Sequence, residues 1–345
     1  MFEEGRGQTQ LLVNRVAWLY VVIVLTWTMV YFLAGDRIIY FEFINALAVY
    51  FFAPLPWLFF QSWMHKSWRL GIGCALMTGV FLTLWGPLFI PKTHRWNDER
   101  LTLAVMTYNL QGSAGDVADS IAAIQAEDAD VVLLQEVTYE VAYAIQEKLA
   151  NEYPWQYLDP RNYASGMGIL STLPLTVVPF EWADRWNGWP QMVQVQMGGA
   201  AITLINVHLH ASIPARPSLV EQAAANREHN AITLTDIVSQ VSSEGPVILA
   251  GDFNVSQLST VYKIITTQLG DAWWEAGTGF GHTFPADAEP PGWLAWKHGL
   301  PIPQKLVRID YIFHSWDLIP RDAHRGVNLG GSDHQSVVTI FELAD

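Results

Sequence analysis

Cysteine is almost absent: the 345 residues contain one, Cys74. That excludes an intramolecular disulfide framework and a cysteine-rich zinc site. Charge is scarce as well. Asp, Glu, Lys and Arg make up 15% of the chain, against about a quarter in ordinary soluble domains, while hydrophobic residues make up 51%. Such a chain is neither disordered nor a coiled coil, and it is not expected to be soluble throughout. Basic charge is the scarcest where the chain is longest. Residues 1–100 hold eight Lys/Arg and six Asp/Glu, a balance of +2, whereas residues 101–345 hold 11 and 27, a balance of −16. A region that acidic repels nucleic acid at long range and gains little from an anionic membrane surface.

Long apolar runs open the sequence. Val16 to Gly35 is 20 residues without a charge, about 30 Å as a helix and enough for one hydrocarbon core. Leu70 to Ile90 is a second clean run, with Gly71, Gly73 and Gly79 allowing close helix packing. Between them, Ile38 to Phe60 is long enough to span but carries Glu42, Asn45, Pro54 and Pro56. Pro-Leu-Pro should kink or end a helix near Pro54, so the alternative is a re-entrant segment. The first run is too long for a signal-peptide core. The expectation is therefore about three transmembrane helices, near 16–35, 38–60 and 70–90, within a membrane region 1–90. A multi-pass cell-membrane protein follows, with the lipid bilayer as its partner. Arg6, Arg15, Lys66 and Arg69 would face one side, and Arg37, Lys92, Arg95 and Arg100 the other, which leaves orientation undecided by the positive-inside rule. The lack of cysteine after Arg100 suits a domain outside the cytoplasm. Glu42 is a functional candidate if it lies in lipid, although a neutral or interface-snorkelling carboxyl explains it more simply.

Residues 91–100 read as a polar linker, and the pattern then changes. Strand-like runs at Leu101–Tyr108 and Ala129–Leu134 alternate with helical periods at Val117–Ala126 and Tyr139–Ala150. Further strands are expected at Gly168–Ser171, Met192–Met197, Ala201–Val207, Pro246–Ala250, Val307–Phe313 and Gln335–Phe341, with a long amphipathic helix at Ser218–Val241. Early alternation followed by antiparallel runs implies a mixed α/β sandwich.

Polar residues sit where these strands end. Asn109 closes Met-Thr-Tyr-Asn, Glu136 follows Val-Val-Leu-Leu-Gln, and His208 closes Leu-Ile-Asn-Val-His. Asp252 and Asn254 close Val-Ile-Leu-Ala-Gly-Asp-Phe-Asn, Asp310 lies in Arg-Ile-Asp-Tyr, and Asp333 and His334 open Ser-Asp-His-Gln-Ser-Val-Val. Asp252 and Asn254, at i and i+2, would share a face in an extended strand. Singly, each is an ordinary turn former or a packed histidine. Six such places in one domain point instead to a binding edge for a hard, oxygen-seeking cation and a phosphoryl oxygen.

The ordered set Tyr-Asn-Leu, Leu-Gln-Glu-Val, Ser-Gly-Met-Gly-Ile-Leu-Ser, Asn-Val-His-Leu, Gly-Asp-Phe-Asn, Arg-Ile-Asp-Tyr and Ser-Asp-His resembles the endonuclease/exonuclease/phosphatase superfamily, over about residues 101–345. The resemblance implies a four-layered α/β sandwich of deoxyribonuclease I type and a divalent-metal-dependent phosphoester hydrolase. It implies Mg²⁺ or Mn²⁺ held by Glu136, with Asn109 assisting through its side-chain oxygen and Asp333 beside the metal. Asp252 would orient or deprotonate the attacking water, and Asn254 would steady the phosphoryl oxygens. Asp310 would fix the imidazole of His334, and His208 would act as acid or transition-state stabiliser. Gln111 stands where several family nucleases carry an acidic residue. His210, two residues beyond His208, and Tyr163 could extend the site or simply pack.

The substrate class follows from charge and placement. The acidic domain disfavours duplex DNA, so a membrane-held phosphodiesterase acting on a lipid headgroup or other small phosphoester is expected. A membrane-tethered nuclease and a catalytically silent receptor or scaffold are the alternatives. Trp182, Trp186 and Trp189, Trp273 and Trp274, and Trp293 and Trp296 could insert at headgroup level or could pack internally. The long segment Gly281–Pro303 could wall the cleft. Nothing in the sequence marks a protein partner.

Overall fold

The computed structural model describes residues 2–92, 101–112, 115–182, 185–214, 216–286, 304–327 and 331–344. Most of the expected linker, and Trp293 and Trp296, lie outside the described residues. The chain divides into two compact units, Met1–Ile90 and Pro91–Asp345.

The first unit contains helices α1 (Phe2–Ala34), α2 (Phe41–Ala46), α3 (Leu55–Met64) and α4 (Trp68–Trp85), with 3-10 turns at Ala48–Phe52 and Gly86–Phe89. Two helical stretches, Leu12–Ala34 and Trp68–Phe89, are long and apolar enough to cross a membrane, with mean hydropathies of 2.1 and 1.7. The third expected span is not one helix. Residues 38–60 break into α2, a 3-10 turn and the start of α3, because Pro54 and Pro56 lack the N–H that a continuous helix needs. Tyr40, left-handed at φ 66°, separates α2 from the chain before it.

Close packing holds this unit together. A Cβ on Gly73 would fall 2.9 Å from Val21 Cγ1, so glycine there lets α4 lie directly against α1. Gly71 similarly faces Ser62 Oγ at 3.1 Å, whereas Gly79 has no such neighbour. Asn45 is buried, accepts a 3.0 Å hydrogen bond from Trp27 Nε1, and donates to the Gly35 carbonyl. Leu19, Val22, Met29 and Leu33 on α1 and Ile72, Leu76 and Leu82 on α4 are instead exposed.

The second unit runs β1 (Thr102–Asn109), α5 (Val117–Ala126), β2 (Val131–Gln135), α6 (Tyr139–Lys148), β3 (Trp155–Asp159), β4 (Met167–Ser171), β5 (Leu175–Val177), β6 (Gly188–Met197), β7 (Ala200–His208), α7 (Pro217–Val241), β8 (Val247–Asp252), α8 (Thr260–Ile265), β9 (Gly270–Asp271), α9 (Ala272–Ala276), β10 (Asp310–His314), β11 (Leu318–Arg325) and β12 (Val337–Leu343). Among the described residues these strands form two six-stranded sheets, β11-β12-β1-β2-β4-β3 and β5-β6-β7-β8-β10-β9. Each is built around a parallel pair, β1/β2 in the first sheet and β7/β8 in the second.

Alternation of side chains explains the layers. Met106, Tyr108, Val132 and Leu134 face α5 and α6, and Ile205, Val207, Leu249, Tyr311 and Phe313 pack in the cluster that includes Leu234 and Val238 of α7. The residues between them in sequence point into the space between the sheets. On β1 that row reads Leu103, Val105, Thr107, Asn109; on β7 it reads Ile202, Leu204, Asn206, His208; on β8 it reads Ile248, Ala250, Asp252. All are buried. The inter-sheet core thus passes from aliphatic, through hydroxyl and amide, to charged groups as it nears one edge. Helix caps fix the outer layer: Asp116 accepts from the Ala118 and Asp119 amides to start α5, a cap whose loss costs about 1 kcal/mol.

Three of the loop tryptophans pack. Trp273 is buried and donates to the Gly279 carbonyl, while Trp182 and Trp186 lie edge-to-face at 5.6 Å against the second sheet's core. Trp189 is exposed.

Candidate active site

Strand direction brings the candidate residues to one edge. Asn109, His208 and Asp252 end β1, β7 and β8, and Glu136 directly follows β2. Asp310 begins β10, and Asp333 and His334 precede β12; both strands run antiparallel to their neighbours, so their beginnings lie at the same edge. Within the second sheet, Asp310 is paired with Asp252 and Asp252 with His208.

Hydrogen bonds then join the sheets. Asn109 Nδ2 donates to Glu136 Oε1 at 3.2 Å and to Asp252 Oδ2 at 2.9 Å. His334 Nδ1 lies 3.0 Å from Asp310 Oδ2, whose second partner is the Thr283 hydroxyl at 2.5 Å. Ser332 ties the His334 loop to β1, donating to the Asn109 carbonyl at 2.7 Å and accepting from the His334 amide at 3.0 Å. His208 Nε2 stands 3.5 Å from Asp252 Oδ2 and 3.9 Å from Glu136 Oε1, and the Asn187 amide approaches it at 3.0 Å.

Two roles look different in three dimensions. The Asn109 oxygen accepts from the Gln111 amide at 2.9 Å, so its amide nitrogen, not its oxygen, faces the carboxylates. Asn254 does not share an extended strand with Asp252. It turns left-handed, at φ 52°, and its Nδ2 returns to Asp252 Oδ2 at 3.0 Å and to the Leu209 carbonyl. Glu136 and Gln111 are also left-handed, at φ 59° and 57°; strained non-glycine backbone gathers at functional sites. Gln111 braces the loop by accepting from the Asp333 amide at 2.9 Å. His210 is half-buried on the Arg185 carbonyl, and Tyr163 is exposed beside the site, where its carbonyl would lie 3.2 Å from a Cβ on Gly112.

The electrostatics are those of crowded carboxylates. Burial raises the Glu136 and Asp333 carboxyls above their ordinary range, with the charge on His334 opposing the rise in each case. Asp252 is raised the same way, burial first, with His334 again opposing. Burial disfavours charge on His334 too, but Asp310 and Asp252 outweigh it and raise the imidazole. His208 falls to about 3, chiefly through burial and secondarily through His334, so it is neutral at pH 7.

The donor set suits a hard divalent cation. Asp252, Asp310 and His334 each offer a ligand atom within 4.8 Å of the others, and Glu136 stands beside Asp252 across the Asn109 bridge. No lysine or arginine lines this cleft among the described residues to balance the carboxylates. A Cβ on Gly112 (φ +54°) would come within 3.2 Å of Glu136 Oε2, so glycine keeps that oxygen open. Oxygen donors with one imidazole fit Mg²⁺ or Mn²⁺ better than a soft metal.

Several contributors are not evident from the strand-end pattern. Gln135 Nε2 donates to Asn206 Oδ1 at 2.7 Å and to Thr107 Oγ1 at 3.1 Å, and Asn206 Nδ2 donates to the Leu134 and Gly168 carbonyls. This buried amide link joins the sheets one layer beneath Glu136 and His208. Gln135 and Asn206 lie inside Leu-Gln-Glu-Val and Asn-Val-His-Leu, which was the available signal. Thr283 sits in the His-Thr-Phe-Pro run and Ser332 beside Asp333, while Asn187 carries no sequence signal.

A two-sheet α/β sandwich with phosphoester-type donors along one edge defines the class of protein. The Endonuclease/Exonuclease/phosphatase family matches residues 106–334, and the chain belongs to that family. Its members are typically metal-dependent phosphoester hydrolases. Among solved structures, an endonuclease/exonuclease/phosphatase from Bacteroides vulgatus superposes with a TM-score of 0.54 at 18% identity, covering 71% of this chain and 100% of that one. D. rerio TDP2, complexed with single strand DNA product, gives 0.53 at 17%, covering 70% and 99%. The protein from Beutenbergia cavernae gives 0.51 at 21%, covering 71% and 72%. These similarities establish the fold. No protein of curated function matches the chain.

Proposed function

We propose that this protein is a membrane-held, divalent-metal-dependent phosphodiesterase acting on a lipid headgroup or another small phosphoester. The observation that carries the hydrolase reading is the convergence of Glu136, Asp252, Asp310 and His334 from two sheets onto one edge. Glu136 would hold the cation, with Asp333 alongside; when bound, the cation neutralises phosphoryl charge that otherwise repels a nucleophile.

The chain's own residues account for the remaining chemistry. Asp252, a buried carboxyl raised toward neutrality, orients water and takes its proton as the new P–O bond forms. Asp310 fixes the ring of His334 through Nδ1, leaving Nε2 near Asp252, at 3.9 Å. The charge on His334 stabilises the phosphoryl oxygens as the bond to the alcohol breaks, and the alcohol takes a proton from solvent. Neutral His208, held by the Asn187 amide, stands beside the same oxygens without adding charge. Asn109 bridges the Glu136 and Asp252 carboxylates, and Asn254 bonds Asp252 alone.

The membrane part of the reading rests on two apolar helical stretches and their exposed aliphatic faces. The catalytic unit is assigned to the outside of the cytoplasm on its lack of cysteine. A nuclease is the second reading, favoured by the structural likeness to TDP2, which was solved with a single strand DNA product. The acidic balance of residues 101–345 weighs against it. A silent scaffold would not need the complete donor set.

The test is hydrolysis of phosphatidyl and sphingoid phosphodiesters by the full chain in detergent, with Mg²⁺ or with a chelator. Turnover requiring Mg²⁺ and falling about 1,000-fold in Glu136→Gln is expected, the scale of a lost charge-stabilising contact. Cleavage of single-stranded DNA in place of lipid would establish the nuclease, and no metal-dependent turnover on either would establish the scaffold.

A further inference from the structure

The cleft at the active edge has a volume of about 620 Å³, the size of a site for a whole small molecule and more than a phosphoryl group needs. Its lining continues from Glu136, Asp252 and His334 into an arm between residues 211–213 and the first turns of α7. Leu219, Gln222, Ala223 and Asn226 line this arm at the i, i+3, i+4, i+7 spacing of one helix stripe, opposite Ala211 and Ile213. Its walls are therefore aliphatic, interrupted by two neutral amides.

Arg227, on the same helix, is not among the residues that line the arm. It is buried, and its Nη1 donates to the His210 carbonyl at 2.6 Å and to Ser212 Oγ at 2.9 Å. Those bonds pin residues 210–212 against α7 and turn the guanidinium into protein carbonyl and hydroxyl groups. His210, the other basic side chain of the arm, is lowered by burial and so is biased toward the neutral form. A strand of nucleic acid would carry further phosphates along any such extension, and each would seek Lys, Arg or a backbone donor.

We propose that this arm is the subsite for the alcohol portion of the substrate, and that this portion is an uncharged, aliphatic, glyceride-type alcohol. The inference rests on the phosphodiesterase reading and deepens it: apolar walls take the chain, and Gln222 and Asn226 bond the ester or hydroxyl oxygens. Continuity with the catalytic edge and the lack of Lys or Arg among the described residues that line the arm are what favour this occupant.

The experiment uses the full chain with Mg²⁺ at one fixed detergent concentration. The probes are choline phosphodiesters whose leaving alcohol is methyl, butyl or hexyl alcohol, read by alcohol release, beside a 5′-phosphorylated thymidine dinucleotide that carries a second phosphate. kcat/KM is expected to rise about twofold to fourfold per added methylene, the range from partial to full burial. The dinucleotide should gain nothing over the methyl ester. Leu219→Asp should flatten the chain-length series and Leu219→Met should retain it; the wild-type series decides the matter even if the aspartate variant does not fold. A flat wild-type series, or a larger gain from the second phosphate than from hexyl, would overturn the proposal while hydrolysis of the methyl ester kept the phosphodiesterase reading. Absence of hydrolysis on every ester would overturn that reading and this one with it.

Discussion

The two sheets of the second unit divide the work unequally. The first brings Asn109, Glu136 and, through the loop before β12, Asp333 and His334. The second brings His208, Asp252, Asn254 and Asp310. Each sheet also has an arginine paired with a buried carboxylate of its own: Arg321 with Glu342 at 2.7 Å in the first, and Arg308 with Asp271 at 2.7 Å in the second. The cross-sheet contacts described at the edge use histidine, amides and carboxylates instead. Arginine pairs balance their charge within a sheet, whereas the junction between sheets is left rich in carboxylates. Arginine thus balances charge within each sheet, and the carboxylates of the candidate site gather at the line where the sheets meet.

The most damaging way to break that division is at the junction itself. Asp310→Asn removes the partner that fixes His334, and kcat should fall about 100-fold to 10,000-fold, with little change in melting temperature. The check is kcat on a phosphodiester beside a thermal melt. Breaking the pair inside the second sheet should do the reverse. Asp271→Ala strands buried Arg308 and also removes the acceptor of Tyr262, and should cost about 3–5 kcal/mol in denaturant unfolding while kcat per folded molecule falls less than about tenfold.

A smaller effect is expected one layer below the edge. Gln135→Leu leaves the Asn206 oxygen unpaired and should cost about 1–3 kcal/mol of stability. Because the link also sets the register of Glu136 against His208, kcat should fall with KM nearly unchanged; a loss confined to stability would remove Gln135 from the positioning role. The smallest effect lies in the first sheet, at His324. Asp322 and Glu127 raise its imidazole to about 9 from 6.5, overcoming burial. A raised folded-state value means that its contribution is complete below about pH 6.5 and is lost as pH rises through about 9. Half-exposed, the pair is screened to about 1 kcal/mol or less. Unfolding free energies of wild type and His324→Gln should therefore differ at pH 6 and converge above pH 9.

The sequence makes the edge legible because apolar rows that stop at Asn109, His208 and Asp252 mark strand ends directly. It does not make the junction legible. Whether Asp310 meets His334 depends on β12, at the end of the chain, inserting beside β1, and on how the two sheets face each other. Gln135 and Asn206 read as flanks of their motifs until the sheets are superposed. The left-handed turn at Asn254 is likewise a tertiary fact, since the i, i+2 spacing alone suggests a strand. Short or half-exposed edge strands escape notice: β3, β5 and β9 lack a long apolar run, and β11 carries Pro320 at a register shift. In the first unit, hydropathy finds α1 and α4, but the length of residues 38–60 outweighs Pro54 and Pro56 in the reading, and the backbone gives those two prolines priority.

The measurement that bears most directly on a hydrolytic site assembled between the sheets is a double-mutant cycle on Mg²⁺-dependent phosphodiester hydrolysis. His334→Ala, Asp310→Ala and the double variant would be compared with wild type by kcat. If Asp310 acts through His334, the double variant loses no more than His334→Ala alone, a coupling as large as the Asp310 effect itself. Independent, multiplicative losses, or wild-type turnover in either single variant, would contradict the account.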